Sequence, residues 1–151
     1  MPETAIEQAL SRATADVLEQ MFFTGVAAES AGFQNIGPRI AVRLAFAGER
    51  PGVLALSISS GAARTLAADF LGTDSEDGPD AGQVNEVVQE LANMICGDAL
   101  STLAQGALGL SPPEIVPAAD FVPAAGGSHR SFDLGNGTLM VALAFADGED
   151  A

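Results

Sequence analysis

One helical segment in the second half of the chain constrains the fold more than any other, running from Asp80 to about Gly106. At about 100° per residue, its apolar and polar residues fall on opposite sides of a helix. The apolar side comprises Val84, Val88, Leu91, Ile95 and Ala99. The polar side is a narrow stripe of Glu86, Glu90, Asn93 and Gly97. The pattern predicts a helix packed against a core on its apolar side, with the stripe facing solvent.

The polar stripe combines an acid, a carboxamide and a glycine. Glu90 and Asn93 have neighbouring side chains because they lie three residues apart. Gly97 removes the bulk one turn further on, so the backbone of a partner can approach. A glycine costs about 1 kcal/mol inside a helix, which indicates a packing or functional reason for it. An ordinary solvated helix face is the alternative interpretation, and the bare spacing does not exclude it.

The first half of the chain predicts a helix followed by two strands. Helical spacing of apolar residues extends from Thr4 to Phe22. Alternating apolar residues over 40–46 predict a strand with one solvated face. Turn residues at 49–52 return the chain into a second strand, Val53–Ile58, as an antiparallel neighbour.

Capping signals mark the start of a second helix and of the helix that carries the stripe. Ser60 is predicted to cap a second helix, which Gly72 ends. Asp80 and Gln83 form a predicted capping box at the start of the helix that carries the polar stripe.

The last third of the chain is predicted to be mainly strand. A short strand at Glu114–Val116 is followed by a loop over 124–129 and then by a hairpin. The hairpin joins Ser131–Leu134 to Thr138–Phe145 through Asn136-Gly137. The whole chain is therefore predicted to be α+β. A long N-terminal helix and a long central helix pack mainly on one face of an antiparallel sheet.

The formal net charge is −14, and all six basic residues are arginine. This charge predicts repulsion from nucleic acid and from anionic membranes. It suits a partner with a basic rim, or serves solubility alone. A single cysteine, Cys96, excludes an internal disulfide and suits a reducing compartment. With no apolar membrane span and no signal-peptide core, the expected location is the cytoplasm.

Other sites have little support in the sequence. His129 is the only histidine and lacks an evident nucleophile partner, which argues against a Ser-His-Asp site. No His/Cys cluster has metal-ligand spacing, so no bound metal is expected. Cys96 is predicted to be a small packed residue beside the stripe.

The run from Glu90 to Gly97 resembles the signature helix of the CheC/CheX/FliY-type chemotaxis phosphatases, Glu-x-x-Asn-(Met/Ile)-(Ile/Val)-x-Gly. The matching residues are Glu90, Asn93, Met94, Ile95 and Gly97. Ala62, Ala63, Leu66, Ala67, Phe70, Leu71 and Gly72 resemble the preceding helix of that family, and the acidic loop at 74–80 resembles its linker. The likeness covers most of the chain and is closest to the CheX-like branch. The chain length of 151 residues predicts a single domain over 1–151, CheX-like by this resemblance, with frayed ends at 1–3 and 147–151.

A phosphatase for an aspartyl-phosphate needs a water aimed at phosphorus, and most of such catalysis is positioning. A carboxamide can orient this water without bringing charge to the phosphate, so Asn93 is assigned that role. Glu90 is expected to pair with the lysine of a response-regulator receiver domain and to fix the docking register. The resemblance implies the same roles. The receiver would supply Mg²⁺, and the chain itself would bind no cofactor. Glu86, Gly97 and Asp98 are predicted partner-binding residues.

Two departures from the family pattern leave an alternative. Members usually carry Asp or Ser where this chain has Glu86, and often Asn where it has Asp98. Asp98 adds negative charge near the expected phosphoryl position. The alternative is a non-catalytic module that binds a receiver or another flagellar or chemotaxis partner.

The sequence also leaves a self-associating structural domain open. Sheet edges at Val53–Ile58 or Thr138–Phe145 could pair between chains. CheX-like relatives dimerise, so a homodimer is expected under the phosphatase hypothesis too. The first helix carries Glu19-x-x-Phe22, with phenylalanine where an asparagine would be needed. It is therefore predicted to be catalytically blank.

Overall fold

A computed structural model describes residues 3–30, 37–48, 50–72, 78–103, 109–121 and 127–145. Within them the helices are α1 (Glu3–Phe22), α2 (Ser60–Leu71) and α3 (Ala81–Thr102). The strands are β1 (Ala28–Ser30), β2 (Arg39–Ala47), β3 (Gly52–Ser59), β4 (Gly109–Leu110), β5 (Glu114–Val116), β6 (Ser128–Asp133) and β7 (Thr138–Phe145). A single 3₁₀ turn, Ala118–Asp120, follows β5. None of the helices among these residues is both long and apolar enough to cross a bilayer.

The described strands form one antiparallel sheet in the order β1-β6-β7-β3-β2-β4, with β5 also paired to β2. The predicted β2–β3 pairing is confirmed, with Leu44 opposite Leu54. The predicted hairpin between β6 and β7 is confirmed as well. In its turn, the backbone N–H of Leu134 donates to the Gly137 carbonyl at 2.9 Å. Gly135 adopts φ +88° there, a value that a glycine tolerates.

The sheet order contradicts the predicted sites of edge pairing. Val53–Ile58 belongs to β3, which lies between β2 and β7, and Thr138–Phe145 is β7, which lies between β6 and β3. Both strands use their backbone groups within the sheet, so neither is an edge. The edges are β1 on one side and β4 with β5 on the other. A homodimer stays a prediction.

The helices cover one face of the sheet. A single buried cluster joins the apolar sides of the three helices to alternate residues of the strands, among them Leu56 and Val141. α1 packs against α3 and against β6, and α3 packs over β2. On the helix-free face, a smaller buried cluster forms around Phe121 and Met140. The predicted α+β architecture, with its helices mainly on one face, is confirmed.

Two local predictions are wrong. Ser59, not Ser60, is the N-cap residue of α2. The Ser59 hydroxyl does not cap the helix; it accepts a hydrogen bond from the backbone N–H of Thr138 at 2.9 Å. His129, predicted to lie in a loop, belongs to β6 and pairs with Ala142. Both errors have the same cause, because β7 contacts both positions. Its Thr138 bonds to Ser59 and its Ala142 pairs with His129.

Two other boundaries agree closely with the sequence, whereas α3 ends at Thr102, before its predicted end near Gly106. α1 begins at Glu3, one residue before the predicted start. Gly72 ends α2 in the left-handed conformation, with φ +66°. The predicted frayed tail at 147–151, most of the acidic loop and residues 1–2 lie outside the described residues.

Candidate functional site

The candidate site is carried by α3, whose start is fixed by a capping box. An Asp80 carboxylate oxygen accepts from the Gln83 backbone N–H at 2.8 Å, and the Gln83 side-chain oxygen accepts from the Asp80 N–H at 2.9 Å. This is the predicted box, and it is confirmed. The box fixes where α3 begins, and the burial of its apolar side determines which side chains face outward.

The apolar side of α3 is buried as predicted. Its five residues are 3% exposed or less: Val84, Val88, Leu91, Ile95 and Ala99. The stripe lies on the opposite side, where Glu86 and Glu90 are exposed and Asn93 and Gly97 are half-buried. The structure therefore brings the predicted stripe residues together on one outward face of a single rigid helix.

The side chains of Glu90 and Asn93 make no hydrogen bond or ion pair with other residues in the described part of the chain. A carboxylate and a carboxamide placed side by side in this way keep their full hydrogen-bonding capacity. The pair can accept and donate bonds to a second molecule without first breaking bonds within this one.

Gly97 has no packing role within the described chain. A Cβ built on it would meet no atom within 4 Å. Of the two explanations for a glycine inside this helix, close packing against the protein's own core is therefore excluded. Space for an approaching molecule is the explanation that fits the observed surroundings.

The other two predicted partner-binding residues lie at different angles. Glu86 is exposed one turn before Glu90, on the stripe. Asp98 is exposed too, but it follows Asn93 by five residues and so points about 140° away around the helix. The negative charge of Asp98 is therefore directed away from the carboxamide.

Sequence reasoning missed a contact at the side of the stripe. The side-chain amide of Gln89 donates to the backbone carbonyl of Pro113 at 2.9 Å, just before β5. Gln89 precedes Asn93 by four residues, so the two lie on the same side of α3. That spacing was visible in the sequence, but the position of β5 beside α3 was not.

Cys96 is packed as predicted, with no exposed surface. Burial raises the pKa of its thiol to about 12. The thiol therefore stays protonated near neutral pH and does not act as a nucleophile.

His129 lies far from the stripe in the fold. It pairs with Ala142, which belongs to the cluster on the helix-free face, so His129 lies on the other side of the sheet from α3.

The first helix has no equivalent of the Glu90–Asn93 pair. Phe22 is fully buried and stacks on Phe70, with ring centroids 4.9 Å apart and planes at 24°. Glu19 is exposed, but no carboxamide stands beside it at the position of Phe22. That α1 is catalytically blank stays a prediction.

A cleft of 520 Å³ lies on the helix-free face of the sheet. Small side chains form its floor, including Ala45, Ala55 and Ala144, and Arg43 and Asp120 line it. It contains none of the predicted site residues. The stripe lies elsewhere, on the outward side of α3.

The comparison with known protein families gives the class of the protein. A family model described as "Chemotaxis phosphatase CheX" matches residues 40–132, more than half of the chain and all of α3. The chain belongs to this family, within the wider CheC/CheX/FliY group that its α3 motif resembles.

Solved structures agree in fold. The chain is similar to the chemotaxis protein CheX from Vibrio vulnificus, with a TM-score of 0.75, 16% identity and coverage of 96% of this chain and 99% of that one. It is similar to the CheX–CheY–BeF₃–Mg²⁺ complex from Borrelia burgdorferi, with a TM-score of 0.71, 17% identity and coverage of 91% and 96%. FliY from Thermotoga maritima has a TM-score of 0.64, 14% identity and coverage of 98% and 92%. No curated protein sequence matches the chain. At these identities the structures show a shared fold.

Proposed function

We propose that this protein is a phosphatase that accelerates hydrolysis of the aspartyl-phosphate of a CheY-like response-regulator receiver domain. The observation that carries the proposal is the pairing of Glu90 and Asn93, free of other bonds in the described chain, on the outward face of α3. Membership of the CheX family supports it. The Borrelia burgdorferi relative has been crystallised with a CheY protein, beryllofluoride and Mg²⁺.

The position of the site favours a macromolecular substrate. Glu90 and Asn93 lie on the outward side of α3, and they are not among the residues that line the cleft on the helix-free face. An outward helix face can act when the substrate is itself a protein that supplies the pocket. A receiver domain does so, because its phospho-aspartate, Mg²⁺ and lysine already form most of an active site. What α3 must add is an aligned water.

Asn93 is the group that we assign to the water. Its side-chain oxygen can accept a hydrogen bond from an O–H of the water, and its amide N–H can instead donate one to the water oxygen, so the carboxamide can orient the water. Being neutral, the carboxamide adds no repulsion against the phosphoryl oxygens. Its half-buried position limits its rotamers, which lowers the entropy lost on aligning the attack.

Glu90 is the group that we assign to docking. Its exposed carboxylate lies one turn from Asn93 and can pair with the lysine of the receiver. This charged bond would set the position of α3 in the receiver pocket and so the distance from Asn93 to phosphorus. Mg²⁺ would come from the receiver, where it neutralises charge on the transferring group. Glu86 and Gly97 would lie at the rim, with Asp98 beyond it.

The test of the proposal is the decay of a phosphorylated receiver with and without the protein. Asn93→Ala is expected to lower the acceleration roughly 100-fold or more, because positioning of the water is lost. Asn85→Ala is the matched control, since Asn85 is a half-buried asparagine of the same helix that lies outside the stripe. Its rate should stay within about twofold of the wild type. Equal rates for the two variants would rule out the assigned role of Asn93.

A non-catalytic receiver-binding module is the second candidate. The observation in its favour is the negative charge of Glu86, which is exposed on the stripe that would approach a phosphate. This candidate predicts tight binding to a phosphorylated receiver with an unchanged rate of decay. Acceleration that depends on Asn93 excludes it, so the same assay separates the two candidates.

A further inference from the structure

Strand β5 places an exposed apolar side chain beside the polar stripe. In the sheet, Ile115 lies directly opposite Val42, and residues opposite each other in an antiparallel pair share a face. Val42 is fully buried under the helices. Ile115 therefore lies on the helix side of the sheet, beyond the edge that β2 would otherwise form. It remains 41% exposed.

The position of β5 relative to the stripe is fixed by Gln89. Its amide donates to the Pro113 carbonyl at 2.9 Å, so the segment leading into β5 is tied to α3. Gln89 lies on the Asn93 side of the stripe, one turn earlier. The side of the helix nearest to β5 is thus the side of the proposed catalytic carboxamide.

The stripe is too small and too polar to hold a protein by itself. A specific protein interface buries about 800 Å² on each partner, and its affinity comes mainly from a few apolar or aromatic anchors in the middle of a polar rim. The stripe residues are polar, apart from a glycine. Residues beside α3 must supply the remaining area and an anchor.

We propose that β5 is the second half of the receiver-binding surface and that Ile115 is its apolar anchor. The inference rests on the proposed function. The partner would be the receiver domain, which would place an apolar patch next to its phosphorylation site against Ile115 while α3 enters the pocket. Gln89 is a positioning residue that keeps the two halves of this surface together. Ile115 on β5 would supply much of the affinity for the receiver, and Asn93 on α3 would position the attacking water.

Two other exposed apolar residues lie outside α3 and β5. Met21 is 43% exposed in the last turn of α1. Phe23 is 78% exposed and leads toward β1, at the opposite edge of the sheet from β5. Met21 therefore offers a control that matches Ile115 in exposure and in apolar character.

The experiment separates affinity from turnover. Affinity is measured with a receiver domain loaded with Mg²⁺ and beryllofluoride, the combination present in the Borrelia burgdorferi complex, and turnover with the phosphorylated receiver. Ile115→Asp should raise Kd and KM roughly tenfold and leave kcat within about twofold. Met21→Asp should change none of the three. Ile115→Ala, a milder change, repeats the test if the aspartate variant unfolds.

Each outcome decides the proposal. A KM within twofold of the wild type in both Ile115 variants overturns it, while the proposed function stands. An Ile115 variant that lowers kcat at unchanged Kd also overturns it. Loss of a dimer in the Ile115 variants, with receiver affinity unchanged, would show that β5 binds a second copy of the chain. If the wild type neither binds nor dephosphorylates the receivers, the proposed function fails and this inference fails with it.

Discussion

At the scale of single residues, Gly97 lowers the stability of its helix and has open space where a side chain would lie. It lies in the interior of α3, where glycine is about 1 kcal/mol less favourable than alanine, and a Cβ there would meet nothing within 4 Å. Nothing in the described chain requires it. A residue that lowers the stability of its own helix without packing is best explained by what must come close to it from outside.

Gly97→Ala should therefore separate stability from activity. We expect the free energy of unfolding to rise by about 0.5–1 kcal/mol, because alanine restricts the unfolded chain and favours the helix. We expect receiver dephosphorylation to slow at the same time, because the added methyl group lies one turn from Asn93. Urea denaturation and the decay assay measure the two effects. Gly61→Ala is the control, since its Cβ also meets nothing within 4 Å but it lies on α2. A Gly97 variant as active as wild type would show that no close approach occurs there.

Residue-level predictions succeeded where the determining contacts are local. The stripe on α3, the Asp80–Gln83 box and the left-handed Gly72 depend on residues within four positions of one another. Ser59 was missed because its hydroxyl bonds to Thr138, a residue distant in sequence. The partner of Ser59 is set by the pairing of β3 with β7, which no local pattern contains.

At the scale of secondary-structure elements, Arg39 joins three strands. Its guanidinium donates to the Ser57 and Thr138 hydroxyls at 2.7 and 2.9 Å, and to the carbonyls of the same two residues at 3.0 Å each. A further bond reaches the Ser59 hydroxyl at 3.2 Å. All five N–H groups are thereby used, and β2 is tied through β3 to the start of β7. Burial lowers the pKa of Arg39.

Replacing Arg39 should weaken the sheet without altering the site on α3. Arg39→Lys keeps the charge but loses the planar fork, so several buried acceptors lose their donors. We expect a loss of about 2–4 kcal/mol in the free energy of unfolding. Arg12→Lys is the control, on the exposed side of α1, and should change stability by less than about 0.5 kcal/mol. Thermal and urea denaturation provide the measurement. A similar stability for both variants would mean that the strands hold together without the guanidinium.

Element order shows the limit of the sequence most clearly. The strands β2, β3, β5, β6 and β7 were predicted at or near their positions, because alternation and turn residues mark them locally. The order of the strands in the sheet was not predicted, and Val53–Ile58 was wrongly placed at an edge. The Arg39 contacts span up to 99 residues of sequence, and the neighbourhood of β5 and α3 likewise depends on the complete fold.

At the scale of the whole molecule, 20 acidic residues face only six basic ones, which gives the formal net charge of −14. Glu29 accepts from Arg130 at 2.7 Å across the β1–β6 edge. An acidic excess of this size destabilises a compact state by repulsion between its carboxylates, and dissolved salt screens that repulsion.

Salt should therefore stabilise the protein. Raising NaCl from about 20 mM to about 500 mM is expected to increase Tm by roughly 3 °C or more, because the shorter Debye length screens the repulsion between carboxylates. Differential scanning calorimetry at fixed pH measures the change. A Tm that falls with added salt would mean that attractive pairs outweigh the acidic excess.

The stack of Phe22 on Phe70 has a consequence for stoichiometry. Because that aromatic pair fills the interior where a second carboxamide would have to emerge, the polypeptide presents its proposed chemistry from one helix only. Each copy of the chain would then bind one phosphorylated receiver at a time, and a titration of the protein with receiver would saturate at an equimolar ratio. A second catalytic pair on α1 would need an asparagine in place of Phe22, and that change would remove a buried side chain from the core.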